Sequence, residues 1–145
     1  MENGEPPPVG ALVLRPAVAV RRRIVAGLHE AGFTDLQAGH LAVFAWPGPD
    51  GLRPGVLAVR ADASKQAMNH LLGQLEAAGY IRRDPDPTDR RTRVVHLTPR
   101  GRDAWSVLEK IVDEVEREWR DVLGDGTYET LQASLVELNR HFEGA

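Results

Sequence analysis

The order of elements in residues 64–101 constrains the fold of this 145-residue chain more than any other feature. This segment reads SKQAMNHLLGQLEAAGYIRRDPDPTDRRTRVVHLTPRG. The segment predicts a short amphipathic helix after Ser64, two strands over residues 80–84 and 92–97, and then the start of another helix. The apolar residues of the first helix recur three and four positions apart: Met68, Leu71, Leu72 and Leu75. Its opposite face is polar and must stay at the surface beside the hairpin.

Positive charge is concentrated in this segment. Residues 63–102 contain eight Lys and Arg against four Asp and Glu, a net charge of +4, whereas residues 103–145 carry −7 and the whole chain −3. A negatively charged partner should therefore meet the middle of the chain. A helix followed by a basic hairpin is the order of a winged helix, which places the helix in the major groove of DNA. The segment predicts binding to double-stranded DNA.

Helical periodicity extends over most of the remaining chain. Helices are expected at about residues 9–31, 34–46, 54–61, 99–123 and 127–142. Thr34 or Asp35 is expected to cap the second of these, and Gly124, Asp125 and Gly126 should form a turn before the last. The predicted fold class is mainly α with a small antiparallel β-wing.

The helix over residues 99–123 is too long for a small winged lobe to cover. At 1.5 Å per residue it would span about 36 Å. Its apolar stripe repeats at three and four residues along the whole length: Ala104, Leu108, Ile111, Val115, Trp119 and Val122. The part of the stripe that the lobe leaves uncovered predicts a second apolar surface.

Composition and motifs exclude several classes of protein. The chain has no cysteine, so disulfides, thiolate metal sites and thiol redox chemistry are excluded. It has no apolar run of about 20 residues and no signal peptide, so a cytoplasmic protein without membrane contact is expected. GxSxG, HExxH, phosphate-loop and Rossmann motifs are absent, so we expect neither catalysis nor a cofactor. The lone His29 and His40 fit structural roles better than metal binding.

Residues 75–101 resemble the multiple-antibiotic-resistance regulator (MarR) family. The matching elements are Leu75-Glu76, Gly79-Tyr80, Asp89-Arg90-Arg91, Leu97-Thr98 and Gly101, and SKQAMN at 64–69 resembles the start of the recognition helix in one branch. The resemblance implies a ligand-responsive repressor, a homodimer that binds a near-palindromic operator. It also implies a small aromatic or lipophilic effector. The cysteine of the peroxide-sensing branch and the His/Cys set of the zinc-sensing branch are missing.

The resemblance also implies a domain organisation. Residues 1–8 would be a flexible arm and 9–33 an N-terminal dimerisation helix. Residues 34–101 would form the winged helix-turn-helix lobe, and 102–145 the C-terminal dimerisation helices. The alternative function is a non-enzymatic helical dimerisation or scaffold protein. That alternative explains the long C-terminal helices but leaves the basic hairpin without a role.

The candidate DNA-binding residues belong to the first predicted helix of the segment and to the wing. Gln and Asn can pair with adenine, while Lys and His can reach guanine or phosphate. An Arg at the wing tip suits a narrow minor groove, and Asp89 is expected to orient Arg91 by a charge-assisted hydrogen bond. The alternative is an ordinary solvated surface. The complete set is Ser64, Lys65, Gln66, Asn69, His70, Asp89, Arg90, Arg91 and Arg93.

Aromatic residues outside the segment are candidates for an effector cleft. Phe33, His40, Phe44 and Trp105 are predicted to line it, with Trp46 close by. Aromatic residues at helical spacing also suit an ordinary core, so both interpretations stay open at the level of sequence.

Overall fold

The computed structural model describes residues 4–143 and divides the chain into two compact units, Met1–Glu109 and Lys110–Ala145. The first three residues of the predicted arm and the last two of the predicted C-terminal segment lie outside the described residues. The elements are α1 (Val9–Glu30), a 3₁₀ helix (Ala38–Ala42), α2 (Pro54–Arg60), α3 (Lys65–Ala77), β1 (Ile81–Pro85), β2 (Arg93–Leu97), α4 (Pro99–Leu123) and α5 (Asp125–Glu143). The predicted fold class, mainly α with a small antiparallel wing, is confirmed.

The ends of α1 and α3 follow local rules of the sequence. The Ser64 hydroxyl accepts the main-chain N–H of Ala67 at 3.0 Å, which caps α3. Gly32 after α1 and Gly79 after α3 adopt φ values of +99° and +81°, a conformation that residues with a Cβ avoid. The predicted bounds of α1 are correct to within a residue, and α3 begins directly after Ser64, as predicted.

Two predicted helix boundaries are wrong. Where a helix over residues 34–46 was predicted, the structure has only the 3₁₀ helix Ala38–Ala42. Its start is capped by Gln37 together with His40 and not by Thr34 or Asp35. Asp35 lies two residues before the cap position, and its carboxylate accepts the Tyr80 hydroxyl. The turn predicted at residues 124–126 is also too long. Only Gly124, with φ +80°, separates α4 from α5, because Asp125 already occupies the first turn of α5, where a negative charge is favourable.

The β1–β2 hairpin is an antiparallel pair in which Arg83 lies opposite Val95. The strands begin one residue later than predicted, and β1 also ends one residue later. The N–H of Val95 donates to the carbonyl of Leu52 at 2.8 Å, and the N–H of Gly51 donates to the carbonyl of Val95 at 2.7 Å. The segment before α2 therefore holds the base of the wing.

The core of the first unit lies beneath the polar face of α3. Met68, Leu72 and Leu75 are fully buried, as predicted, whereas Leu71 is only half-buried. They share the core with apolar residues of every neighbouring element, including Leu28, Leu36, Val43, Leu57, Tyr80, Ile81, Val95 and Leu97. Burying each large side chain of this kind stabilises the fold by about 1.5–3 kcal/mol.

None of the described helices is long and apolar enough to span a membrane.

The first turn of α4 lies against the main chain of Tyr80. The N–H of Thr98 donates to the Tyr80 carbonyl at 3.0 Å. A Cβ at Gly101 would overlap the same carbonyl oxygen and come within 3.1 Å of the Leu97 side chain. Gly101 is therefore needed for this close approach, which holds the first turn of α4 against the hairpin.

Candidate nucleic-acid interface

The predicted DNA-binding residues of α3 lie on its exposed face. Burial of Met68, Leu72 and Leu75 turns the opposite side of the helix to solvent. The side chains on that side occupy its N-cap and first two turns: Ser64, Lys65, Gln66, Asn69 and His70. They form a polar surface with one cation and several hydrogen-bonding groups.

Arg83, which the sequence interpretation missed, connects the wing to α3. Its guanidinium donates to Glu76 at 3.3 Å and, at a longer 3.5 Å, to the amide oxygen of Asn69. The Arg83 side chain is 24% exposed, so it fills the angle between β1 and α3. With its oxygen turned to Arg83, Asn69 keeps its NH₂ group available as a donor. An Arg on the first strand gave no sequence signal for this contact, because the pairing of strand and helix is tertiary.

A second connection links the 3₁₀ helix to α3. The main-chain N–H of Gln37 donates to Nδ1 of His40 at 2.9 Å. Nε2 of His40 lies 2.9 Å from Oε1 of Gln74, and Nε2 of Gln74 lies 3.2 Å from Nε2 of His70. His40 is buried, whereas Gln74 and His70 are exposed. The predicted DNA-binding residue His70 therefore ends a hydrogen-bonded chain that begins in the core.

The wing tip is a compact turn closed by its own hydrogen bonds. The expected role of Asp89, to orient the Arg91 guanidinium, is wrong. Its carboxylate accepts the main-chain N–H of Arg91 at 3.1 Å, because an Asp in a turn reaches the N–H two residues on most easily. The N–H of Thr92 donates to the Asp89 carbonyl at 3.0 Å. Asp89 thus shapes the backbone that presents Arg91.

Arg90, Arg91 and Arg93 are exposed, but their contacts differ. The Arg93 guanidinium donates to the carbonyl of Arg83 at 2.9 Å across the hairpin. Arg82 forms an ion pair with Asp84 at 2.8 Å. Among the described residues no acidic side chain pairs with Arg90 or Arg91. These two are therefore the guanidinium groups of the tip that are available to an external anion.

Asp86, at the base of the tip, is the most strongly held carboxylate of the wing. It is 6% exposed and accepts hydrogen bonds from the N–H and hydroxyl of Thr88 at 2.9 and 2.8 Å. Arg53, just before α2, donates to it at 2.7 and 2.8 Å. The bonds from Thr88, and then that from Arg53, lower the pKa of Asp86 to about 2. Sequence reasoning missed this pair, although Asp-Pro-Thr is a recognisable turn signal.

Comparison with known proteins places this arrangement in a family. Residues 31–92 match the model of the MarR family. The putative transcriptional regulatory protein for the hcr operon of Thauera aromatica is 36% identical over 90 residues, which cover 62% of this chain and 54% of the relative. The transcriptional activatory protein BadR of Rhodopseudomonas palustris is 31% identical over 107 residues, which cover 68% and 60%. The chain belongs to the MarR family.

It spans little more than half the length of these two curated relatives. Solved structures agree on the fold. The MarR-family protein Rv2887 of Mycobacterium tuberculosis, in complex with salicylic acid, is 26% identical with a TM-score of 0.62, covering 94% of this chain and 99% of that one. The repressor CouR, bound to a 23-mer DNA duplex, is 20% identical with a TM-score of 0.67, covering 91% and 92%.

Of the four residues predicted to line an effector cleft, Phe44 and Trp105 contact each other, whereas Phe33 and His40 have other partners. Phe33 packs on Tyr80 with ring centroids 6.1 Å apart, while Phe44 stacks on Trp105 at 6.5 Å. His40 lies elsewhere, in the wall of a cavity of about 380 Å³ that also includes Gln74 and Tyr80. Sequence spacing could not separate these places, because each aromatic residue packs on a partner distant in the chain.

Trp46 extends the Phe44–Trp105 pair to three rings. It stacks on Trp105 at 6.5 Å and is 80% exposed.

Nε2 of His29, the other histidine weighed as a metal ligand, lies 2.6 Å from the carbonyl oxygen of Leu36. Within residues 4–143 no group of His, Asp and Glu is arranged to hold a metal ion.

Tyr80 is the centre of a further polar cluster. Its hydroxyl donates to Asp35, and the Arg100 guanidinium lies 4.2 Å above its ring and 3.3 Å from the Asp35 carboxylate. Burial, followed by the bond to Asp35, raises the pKa of Tyr80 to about 12, while the bond from Tyr80 contributes most to lowering the pKa of Asp35. The cluster ties the segment after α1 to the start of α4.

Proposed function

We propose that this MarR-family protein is a transcriptional repressor that binds double-stranded DNA as a homodimer. In each protomer α3 would lie in the major groove and the wing would follow the adjacent backbone or enter the minor groove. The observation that carries the proposal is the pairing of an exposed polar helix face with a tip whose Arg90 and Arg91 have no acidic partner among the described residues. The DNA-bound CouR structure, similar in fold, supports it.

The polar face of α3 supplies groups suited to base edges. Gln66 and Asn69 have the amide groups that pair with adenine, and Lys65 can donate to guanine or to a phosphate. Ser64 accepts a main-chain N–H through its oxygen, so its own O–H can donate to a phosphate near the helix N-terminus. Sequence preference would therefore come from α3.

The wing would add affinity with less sequence preference. Arg90 and Arg91 bring two guanidinium groups that can neutralise phosphates or enter a narrow minor groove. Arg93 is anchored to the Arg83 carbonyl, so it would act by its charge and less by reaching outwards. Each phosphate contact releases counterions, so binding should weaken steeply as salt is raised.

Dimerisation is supported by apolar side chains that the chain leaves exposed. In α1 residues 9–19 are all exposed, and they include Val9, Leu12, Val13, Leu14 and Val18. In the second unit the exposed apolar residues include Val122, Leu123, Leu131, Val136, Leu138 and Phe142. Monomers rarely expose this much apolar surface in one segment. A two-fold dimer would hold two α3 helices about one turn of DNA apart, about 34 Å, and read a near-palindromic operator.

An aromatic effector is the ligand that the exposed ring stack favours. Trp46 and Trp105 are parallel to within 24°, and the outer face of such a stack can take another flat ring. The related Rv2887 was solved with salicylic acid. The dimer could adopt a second form in which the two lobes are spaced differently. An effector that binds this form more tightly than the DNA-binding form would lower operator affinity, by an amount set by the difference between its two binding free energies.

The test is selection of binding sites from random DNA, followed by titration of the best site at several salt concentrations. We expect a near-palindromic consensus. Arg91→Ala should lower affinity on all sites and reduce the salt slope by about one contact. The matched control is Arg140→Ala on α5, where Arg140 is exposed and forms an ion pair with Glu137, and the salt slope should not change. A dimer without salt-sensitive, sequence-preferring binding would refute the proposal and support the dimerisation-scaffold alternative.

A further inference from the structure

A series of hydrogen bonds, called here the hydrogen-bonded chain, runs from Gln37 through His40 and Gln74 to His70. The donor and the acceptor of each bond in it can be assigned, because its first group can only donate. A main-chain N–H can only donate, so Nδ1 of His40, 2.9 Å from the N–H of Gln37, must be the unprotonated nitrogen of its ring. The remaining nitrogen, Nε2, therefore carries the proton. It donates to a carbonyl oxygen, which is the group that Gln74 presents at 2.9 Å.

Within α3 the same direction continues from Gln74 to His70. An amide that turns its oxygen to His40 turns its NH₂ to the other side, where Nε2 of His70 lies 3.2 Å away. An NH₂ group can only donate, so Nε2 of His70 must accept. The proton of a neutral His70 is then on Nδ1, the nitrogen that Gln74 does not touch.

We propose that Gln74 and His40 are positioning residues that fix the tautomer of His70, so that His70 acts on DNA as a hydrogen-bond donor through Nδ1–H. This rests on the proposed DNA binding by α3. A donor suits the acceptors of DNA, which are N7 and O6 of guanine, O4 of thymine and the phosphate oxygens. It disfavours the amino groups of adenine and cytosine, which need an acceptor. A histidine without this chain could present either group, so the chain adds discrimination at one position of each half-site.

The tautomer can be measured without DNA. Nitrogen-15 NMR of the imidazole rings at about pH 8, where an unperturbed histidine is neutral, distinguishes a protonated Nδ1 from a protonated Nε2. We expect His70 of the wild-type protein to carry its proton on Nδ1. In Gln74→Glu the carboxylate can only accept, so Nε2 of His70 should become protonated. Signals of His29, His96 and His141 serve as internal controls and should not change.

A wild-type His70 protonated on Nε2 would overturn the inference. So would a His70 spectrum that Gln74→Glu leaves unchanged. Gln74→Glu, like the Gln74→Leu variant used below, replaces an exposed side chain, and circular dichroism checks that both variants fold.

The consequence for DNA is tested with Gln74→Leu, which breaks the chain without adding charge. We expect a three- to tenfold loss of affinity, about the effect of one hydrogen bond, and a relaxed preference at one base pair if the partner is a base. His70→Ala should show the same loss, and the double variant no further loss. Gln132→Leu, an exposed substitution on α5, is the control and should bind as the wild type does.

Additive losses in the double variant would overturn the inference, because Gln74 would then act independently of His70. Failure of the wild-type protein to bind any DNA would instead overturn the proposed function. The NMR measurement would still decide the tautomer, so the two failures are distinguishable.

Discussion

Gly101→Ala should destabilise the protein, because the first turn of α4 has no room for a methyl group. The added Cβ would overlap the Tyr80 carbonyl oxygen and come within 3.0 Å of its carbon and 3.1 Å of Leu97 Cδ2. Two of these three atoms belong to the main chain, so no side-chain rotation relieves the overlap. The helix must move away from Tyr80, and the bond from Thr98 N–H to that carbonyl, now 3.0 Å, must lengthen.

The magnitude follows from these contacts. Overpacking of this kind costs about 1–3 kcal/mol, and loss of the Thr98 hydrogen bond about 0.5–1.5 kcal/mol. The higher helix propensity of alanine offsets at most about 1 kcal/mol. We expect the free energy of unfolding to fall by about 0.5–4.5 kcal/mol.

The assay is urea unfolding followed by circular dichroism, with all variants at one protein concentration because a dimer's stability depends on it. The control is Gly73→Ala, in the interior of α3, where a Cβ would meet nothing within 4 Å. That change should stabilise the protein by about 0.5–1 kcal/mol. If Gly101→Ala is as stable as the wild type, the close approach of α4 to Tyr80 does not exist as described.

Three further outcomes are expected. Because its bonds lower the pKa of Asp86 from 3.8 to about 2, Asp86→Asn should be less stable than the wild type above about pH 4, and urea midpoints should converge as the pH falls through about 2. Asn69→Ala should lose about 1–3 kcal/mol on the best operator and relax one position, whereas an unchanged selected consensus would exclude Asn69 as a base reader. Leu138→Asp should give a monomer by light scattering at micromolar concentration, because Leu138 is exposed in the isolated chain, while Gln132→Glu should remain dimeric.

The elements that sequence predicted correctly depend on neighbours in the chain. Ser64 caps α3 through the N–H of Ala67, three residues on, and Gly79 ends the same helix by its own φ of +81°. The hairpin follows from two short β-prone runs on either side of an Asp- and Pro-rich turn. Such signals operate within a few residues, so pattern and turn chemistry suffice to find them.

The failures depend on contacts between residues far apart in sequence. Asp35 was expected to cap a helix, but its carboxylate binds Tyr80, 45 residues away, and a 3₁₀ helix with another cap forms instead. Asp86 binds Arg53 over 33 residues, and His40 binds Gln74 over 34. Single-sequence periodicity carries no information on which of many polar residues will meet across the core. For the same reason it could not show that Phe33 and His40 have partners other than the Phe44–Trp105 pair.

Several contacts that the sequence did not reveal lie directly behind the residues proposed to touch DNA. Gln74 lies behind His70, Arg83 behind Asn69, and Asp86 at the base of the turn that presents Arg91. An exposed side chain with no fixed partner loses conformational entropy when it binds, and a contact that already restricts it reduces that loss. The backing residues are therefore where selectivity can change without a change in any group that meets the DNA. Two regulators with the same exposed residues on α3 should differ in operator preference when the residue at the position of Gln74 differs.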